Sequence, residues 1–429
     1  MEKFTVIVLA GGEGKRMKSS LPKALYDLMG RPLIYYPLDE ALNLKKYLKE
    51  IIVVTGYKAA LVEAQIRKCF SGKVKIKFVY QPQRLGTANA LGVACKKAKH
   101  KNILVLCADT PLIKAETLKA FISSFLKKRL SCSVLTANAS RANSLGVILR
   151  DEKEKLKAIT EKVVLNFKAG AGGGLKSINE EVNSGIYCFK REALKKNLSR
   201  IKKNEKKGEY FLTDIVEILY KQREKLDTYF LSSFEEISGI NTQKDLWGAA
   251  KIMRYRLLEE LAASGVKIID PETTFIETGV VIGKNTIIYP FTFIEKDVII
   301  GTNCSLGPFV RLRSGSSMGD NTQAGNFLEI NRSQIGKKVK IKHFGYLGDT
   351  QIAEGVNIGA GTVVANYDGK AKHKTDIKKG AFIGSDTVLV APVKVGKGAV
   401  TGAGSVVTKN VKPNTVVVGV PARVIRKKG

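Results

Sequence analysis

The chain is 429 residues long, 44% hydrophobic and 26% charged, which predicts two or three domains with real cores and excludes a disordered or low-complexity protein. Lysine and arginine number 72 against 39 acids, a net charge of +33. The lysines are spread in pairs such as Lys45-Lys46, Lys127-Lys128 and Lys378-Lys379, with no aromatic-interleaved patch, so they read as a solvated surface that favours anionic substrates, and nucleic acid is not an expected partner.

The first residues, Met1-Glu2-Lys3-Phe4-Thr5-Val6-Ile7-Val8, form a short strand without the apolar region and cleavage site of a signal peptide. No apolar run is long enough to span a bilayer, so no membrane partner is expected. Six scattered cysteines without paired metal spacing point to reduced thiols and a cytoplasmic location. Strand-like runs at 5–10, 51–56, 75–80 and 102–109 alternate with amphipathic segments near 36–47 and 58–70. That alternation predicts a Rossmann-like, mostly parallel sheet with helices on both faces, binding ligands beyond the C-terminal strand ends.

The first strand runs into Leu9-Ala10-Gly11-Gly12-Glu13-Gly14-Lys15-Arg16-Met17, followed by Leu21-Pro22-Lys23. This is not a Walker A loop, because no Ser or Thr follows Gly14-Lys15. Nor is it a full dinucleotide fingerprint, since Met17 takes the place of the third glycine. It is a glycine turn carrying cations: backbone amides can cradle phosphate oxygens while Arg16 and Lys23 balance their charge. Asp109 ends an apolar strand, with Pro111 behind it. An aspartate there commonly caps a helix or forms a turn. Beside a phosphate loop at a sheet edge it suits Mg²⁺, which takes one or two protein oxygens together with phosphate oxygens.

In these motifs the chain resembles the sugar-1-phosphate nucleotidyltransferases, whose opening signature is L-x-x-G-x-G-x-R-M followed by P-K. The resemblance continues through Gln81, Leu85-Gly86-Thr87-Ala88, Asp109, Gly146, Glu161, Asn183-Ser184-Gly185, the run from Gly208 to Asp214, and Gly239-Ile240-Asn241. It implies that Asp109 and Asn241 hold Mg²⁺ and that Arg16 and Lys23 are catalytic. Leu9, Ala10, Gly11, Gly12, Lys23, Gln81, Gly86, Thr87, Gly146, Glu161 and Asn183 would bind nucleotide and sugar.

Residues 245–264 are strongly helix-forming and end at Gly265. The expected domains are therefore 1–240, a linker helix at 241–265, and 266–429. From Ile282 an aliphatic or small residue recurs every sixth position as Ile288, Ile294, Ile300, Leu306, Leu312, Met318, Ala324 and Ile330. The phase slips by one before Ile335, Ile341 and Leu347, and again before Ile352, Ile358 and Val364. After an insertion it resumes at Ile377, Ile383, Leu389, Val395, Thr401 and Val407. Period six fits no helix; it fits a solenoid with three flat faces per coil, about seven coils in all. Glycines follow many of these residues and are expected to serve the tight corners.

The insertion 365–376 is polar and should protrude as a loop, and one coil earlier stands His343, one of three histidines. Acyl transfer to an amine needs a base working near neutral pH, which an imidazole can be. The whole combination resembles the bifunctional bacterial enzymes that acetylate glucosamine 1-phosphate and uridylylate N-acetylglucosamine 1-phosphate. The segments Gly307-Pro308-Phe309-Val310-Arg311-Leu312-Arg313, His343 through Asp349, Asn357-Ile358-Gly359-Ala360-Gly361-Thr362 and Asn366-Tyr367-Asp368-Gly369 carry the match.

By that resemblance the solenoid is a left-handed β-helix and the molecule a homotrimer, with UTP, acetyl-CoA and the two sugar phosphates as substrates. His343 would be the acetyl-transfer base. Arg313 and Lys372 would hold the sugar phosphate, with Tyr346, Asn357 and Tyr367 lining the sugar pocket, and Asn366, Ser385 and Ala403 would face acetyl-CoA. The family usually carries a lysine where Asn331 stands, and Tyr-Gly where Cys107-Ala108 stands. Two alternatives stay open: a nucleotidyltransferase for another sugar with the solenoid as scaffold, and a non-catalytic assembly subunit of the same two-domain plan.

Overall fold

The computed structural model describes residues 2–72, 74–139, 145–161 and 180–427. Its internal contacts divide the chain into two units, Met1–Ala249 and Ala250–Gly429. The division falls within the helix Gln243–Ala263, which belongs partly to each unit.

The first unit is built on a nine-stranded sheet. Its strands are β1 (Phe4–Ala10), β2 (Leu48–Thr55), β3 (Ile76–Tyr80), β4 (Asn102–Cys107), β5 (Cys132–Ala139), β6 (Val147–Arg150), β7 (Leu156–Thr160), β8 (Glu180–Lys190) and β9 (Leu226–Leu231). The main order is β9-β5-β8-β4-β1-β2-β3. Around β1 every pairing is parallel, whereas β8 runs antiparallel between β4 and β5. Phe4, Val6, Ile7 and Val8 are all fully buried, as a central strand covered on both faces requires. Helix α1 (Ala115–Lys127) lays Leu118, Phe121, Ile122 and Phe125 on one face against this core. Its first amides are met by carboxylates: Ala115 N–H donates to Glu40 Oε2 at 2.7 Å and Lys114 N–H to Glu236 Oε2 at 3.3 Å. Burial pushes the Glu40 carboxyl up to about 7.

The second unit is a parallel β-helix of three sheets with ten, eight and seven strands. Every residue of the hexad series, from Ile282 to Val407, is buried in its core. The phase slips have a structural cause. Along the third face Ile282 pairs with Ile300 and Ile300 with Met318, a coil of eighteen residues. Met318 then pairs with Ile335 and Ile335 with Ile352, coils of seventeen. Both shortened corners lie between the second and third faces, at Arg332 and Asp349, which each adopt a positive φ. The insertion leaves the solenoid at that same corner, stretching the next coil so that Ile352 pairs with Ile377.

The expected corner role holds for Gly307, which has φ 97, but not for the other glycines that follow the inward residues. Gly283, Gly301, Gly319 and Gly336 have no positive φ; coils approach too closely for a side chain. A Cβ on Gly319 would stand 2.8 Å from the Gly336 backbone, and one on Gly336 2.8 Å from Ala353. The left-handed corners are shared between glycines such as Gly307, Gly361 and Gly404 and residues such as Asn285, Asn303 and Asn321. At another corner Phe291, Phe309 and Phe327 stack with ring centroids 4.8 Å apart, each exposed to solvent, and Phe344 is exposed in the next coil.

Candidate active sites

Beyond the C-terminal ends of β1 and β4 lies a cavity of about 740 Å³. Leu9, Ala10, Gly11, Gly12, Lys23, Gln81, Gly86, Thr87, Asp109 and Glu161 all line it. The glycines have separate causes. A Cβ on Gly14 would meet the Lys23 Cβ at 2.8 Å, and one on Gly86 the Tyr210 carbonyl at 2.5 Å, both at positive φ. Gly14 thus lets Lys23 fold back over the loop, and Gly86 lets the helix Thr87–Cys95 begin against Tyr210.

Four expected site residues form one polar network. The Lys23 ammonium contacts Asp109 Oδ2 and lies 2.6 Å from Asn241 Oδ1. Arg16 Nη2 donates to the same Asn241 oxygen at 2.7 Å. Two hard oxygens, separated by 132 positions in the chain, therefore converge on a single cation-sized point. Among the described residues no group of three or more His, Cys, Asp or Glu could hold a metal. A divalent cation at Asp109 and Asn241 would have to draw further ligands from phosphate oxygens and water, as Mg²⁺ does.

Gly146 and Asn183 lie outside the cavity lining but are joined, since Asn183 N–H donates to the Gly146 carbonyl at 2.8 Å. A Cβ on Gly146 would stand 3.7 Å from Glu161 Oε1. Glu161 accepts from Thr213 Oγ1 at 3.1 Å, and burial raises its carboxyl above the ordinary range. Sequence reasoning missed the rim, where Arg84 Nη1 pairs with Glu13 Oε2 at 2.6 Å and lies over the Tyr57 ring. Its position just before Leu85-Gly86-Thr87 was the available signal. Cys107 also lines the cavity; burial pushes its thiol up to about 12, and it points at the Gly185 carbonyl as a neutral donor.

In the solenoid a groove of about 500 Å³ brings His343, Asn357, Ser385 and Ala403 together across successive coils. Arg313, Tyr346, Asn366, Tyr367 and Lys372 are not in its lining. They belong to the far end of the second face, where the coils are irregular. There Arg313 pairs with Glu329 at 3.1 Å, and Asn366 Nδ2 donates to Asp349 Oδ2 at 2.5 Å. Tyr367 and Lys372 face each other across a small hairpin. Asn331 is buried, and its Oδ1 accepts from Arg332 at 3.1 Å.

Residues 5–251 match the nucleotidyl transferase family model, and 279–314 match the bacterial transferase hexapeptide family. The bifunctional protein GlmU of Thermodesulfovibrio yellowstonii is 38% identical, covering 96% of each chain. Those of Syntrophomonas wolfei and Thermosipho africanus are 37% and 38% identical, covering 97% and 99% of this chain and 97% of their own. The chain belongs to the GlmU family. It is accordingly a bifunctional transferase, with uridylyl transfer in the nucleotidyltransferase half and acetyl transfer in a left-handed β-helix of hexapeptide repeats. Full-length likeness to GlmU relatives disfavours both alternatives, since the first would leave the solenoid without its chemistry and the second both halves. Its chemistry is that of nucleotide sugars, and no helix among the described residues is long and apolar enough to cross a membrane.

Proposed function

We propose that the N-terminal cavity joins N-acetylglucosamine 1-phosphate to UTP, with release of pyrophosphate. The observation that carries this is the convergence of Arg16, Lys23, Asp109 and Asn241 at one point beside the glycine loop. The sugar phosphate oxygen attacks the α-phosphorus and the bond to pyrophosphate breaks in line. Arg16 and Lys23 balance the charge that builds on the phosphates, while amides of the glycine loop orient them. Asp109 and Asn241 would hold Mg²⁺, which would supply Lewis-acid stabilisation of the phosphate oxygens when bound. Gln81, Gly86 and Thr87 would seat the base, and Gly146, Glu161 and Asn183 the sugar.

Acetyl transfer from acetyl-CoA to glucosamine 1-phosphate is assigned to the solenoid, where the amine attacks the thioester carbonyl, His343 takes the proton the amine loses, and the acyl C–S bond breaks to release CoA as its thiol. Ser385 and Ala403, in the same groove as His343, would flank acetyl-CoA, and Asn366, at the far end of the face, would contribute a further contact to it. Asn357, Tyr346 and Tyr367 would surround the sugar. Arg313 and Lys372 would hold its phosphate without a third cation, since Asn331 carries none. The His343 groove and the Arg313–Lys372 corner lie at opposite ends of one face, which supports a site completed by a neighbouring copy. The exposed stack of Phe291, Phe309 and Phe327 supports the same reading, and we assign a homotrimer in the cytoplasm. The decisive experiment is to assay the purified chain separately for pyrophosphate release from UTP and N-acetylglucosamine 1-phosphate, and for CoA release from acetyl-CoA and glucosamine 1-phosphate. Absence of the second activity at every substrate concentration would reduce the solenoid to a scaffold.

A further inference from the structure

The hairpin 366–373 is knit together internally. Lys370 and Ala371 N–H groups donate to Asp368 Oδ1 at 2.8 and 2.7 Å, the His373 ring meets Asp368 Oδ2 at 2.6 Å, and His373 N–H donates to the Asn366 carbonyl at 2.8 Å. A unit bonded in this way moves as one piece, so its tip is aimed by its root. Both ends of that root are attached to a single residue of the preceding coil. Asp349 Oδ2 accepts from the Asn366 side chain at 2.5 Å, and the Asp349 carbonyl accepts from Thr375 N–H at 3.2 Å. Asp349 is itself fixed by the coil before: Arg332 grips its two carboxylate oxygens at 2.7 Å each, and its N–H donates to the Asn331 carbonyl at 2.9 Å.

We infer that Asp349, oriented by Arg332, is the positioning residue that aims the hairpin bearing Tyr367 and Lys372 at the sugar phosphate. This deepens the acetyl-transfer reading and rests on it. The bidentate pair fixes the plane of the carboxylate as a single contact could not, leaving one oxygen edge for Asn366. The hydrogen bonds from Arg332 hold the Asp349 carboxyl below the usual carboxylate range, helped by Asn366 and by the charge of Lys372, so it is ionised at neutral pH. Arg332 is thereby committed to Asp349 and does not take over as the missing phosphate cation beside Asn331.

The test uses the full-length chain with Asp349→Asn, a residue that keeps the size and tolerates the positive φ, and with Arg332→Lys. Asp349→Asn should raise KM for glucosamine 1-phosphate on the order of tenfold, the scale of one charge-assisted hydrogen bond, and alter uridylyl transfer little. Arg332→Lys should fall between this variant and wild type. Hydrogen exchange at the His373 and Thr375 amides should speed up in Asp349→Asn. On a Lys372→Ala background, Asp349→Asn should add little to KM, because both changes disable one device. A lowered KM in Asp349→Asn would mean that Arg332, once released, binds the phosphate directly, and would overturn the inference. Unchanged exchange, or additive effects with Lys372→Ala, would overturn it as well. If Lys372→Ala alone leaves KM unchanged, the sugar-phosphate reading fails, and the exchange data still decide whether Asp349 holds the hairpin.

Discussion

The ammonium of Lys23 sits on the carboxylate of Asp109, 86 positions further along the chain, and shares Asn241 with Arg16. Lys23 and Asp109 line the cavity while Arg16 and Asn241 lie outside its lining, and two cations against one carboxylate leave the cluster with a net positive charge suited to a triphosphate. Lys23→Met and Asp109→Asn should each lower uridylyl-transfer kcat by on the order of a hundredfold or more, because Lys23 would balance charge on the reacting phosphates and Asp109 would supply a carboxylate oxygen to Mg²⁺. Acetyl transfer should persist in both. Parallel pyrophosphate-release and CoA-release assays on the same preparations check this, and near-normal pyrophosphate release by either variant would refute the assignment.

His343 projects from an exposed corner beside Ser385 and Ala403, well placed to accept a proton from an amine. His343→Ala should reduce acetyl-transfer kcat by on the order of a hundredfold. KM for acetyl-CoA should change little, since Ser385 and Ala403 remain. A loss confined to KM would make His343 a binding residue.

Glu40 provides a pH test of the first unit. Its folded carboxyl is raised from 4.5 to about 7, so folding favours the protonated form. The stability tied to that form is complete below about pH 4.5 and is lost as the pH rises through about 7. Glu40→Gln stays neutral and can still accept from Ala115 N–H. Relative to wild type, its thermal midpoint should therefore climb across that interval and level off above it. A constant gap between the two melting curves would count against the raised carboxyl.

Gly325 is the tightest point between coils, where an added Cβ would lie 1.9 Å from the Lys342 carbonyl. Gly325→Ala must push the Lys342–His343 peptide away, at a cost of about 1–3 kcal/mol or more for overpacking. The expected result is a lower midpoint for the solenoid's unfolding transition and weakened acetyl transfer, with uridylyl transfer intact. Calorimetry and the two assays together check it.

Phe309 is stacked between Phe291 and Phe327 on an exposed corner. If copies of the chain meet there, Phe309→Glu buries a charge in an apolar contact and should yield a smaller assembly by light scattering at micromolar concentration. An unchanged mass would move the interface elsewhere.

Much of this was legible in the residues themselves. The hexad series marked its inward residues without error because period six has no competing explanation. The glycine loop and Asp109 marked the sheet edge where ligands bind. What the residues hid was partnership at long range. Nothing in the local pattern says that Asn241 would meet Lys23, or that Glu13 and Arg84 would pair across the rim. The reason for Gly283, Gly301 and Gly319 was also hidden, since a one-dimensional pattern shows a missing side chain and not the neighbouring backbone that forbids it. The cause of the phase slips was visible only once coils were laid over one another, when both fell at a single corner.

That shared corner has an evolutionary consequence. Because strands on either side of it return to register whatever the length between them, residues can be deleted or inserted there without disturbing the pitch of the stack. From Ile282 to Val407 the solenoid thereby keeps its length changes to one edge, the edge that carries Arg332, Asp349 and the hairpin. Related chains could diversify in substrate through that edge alone while inheriting the hydrophobic interior unaltered.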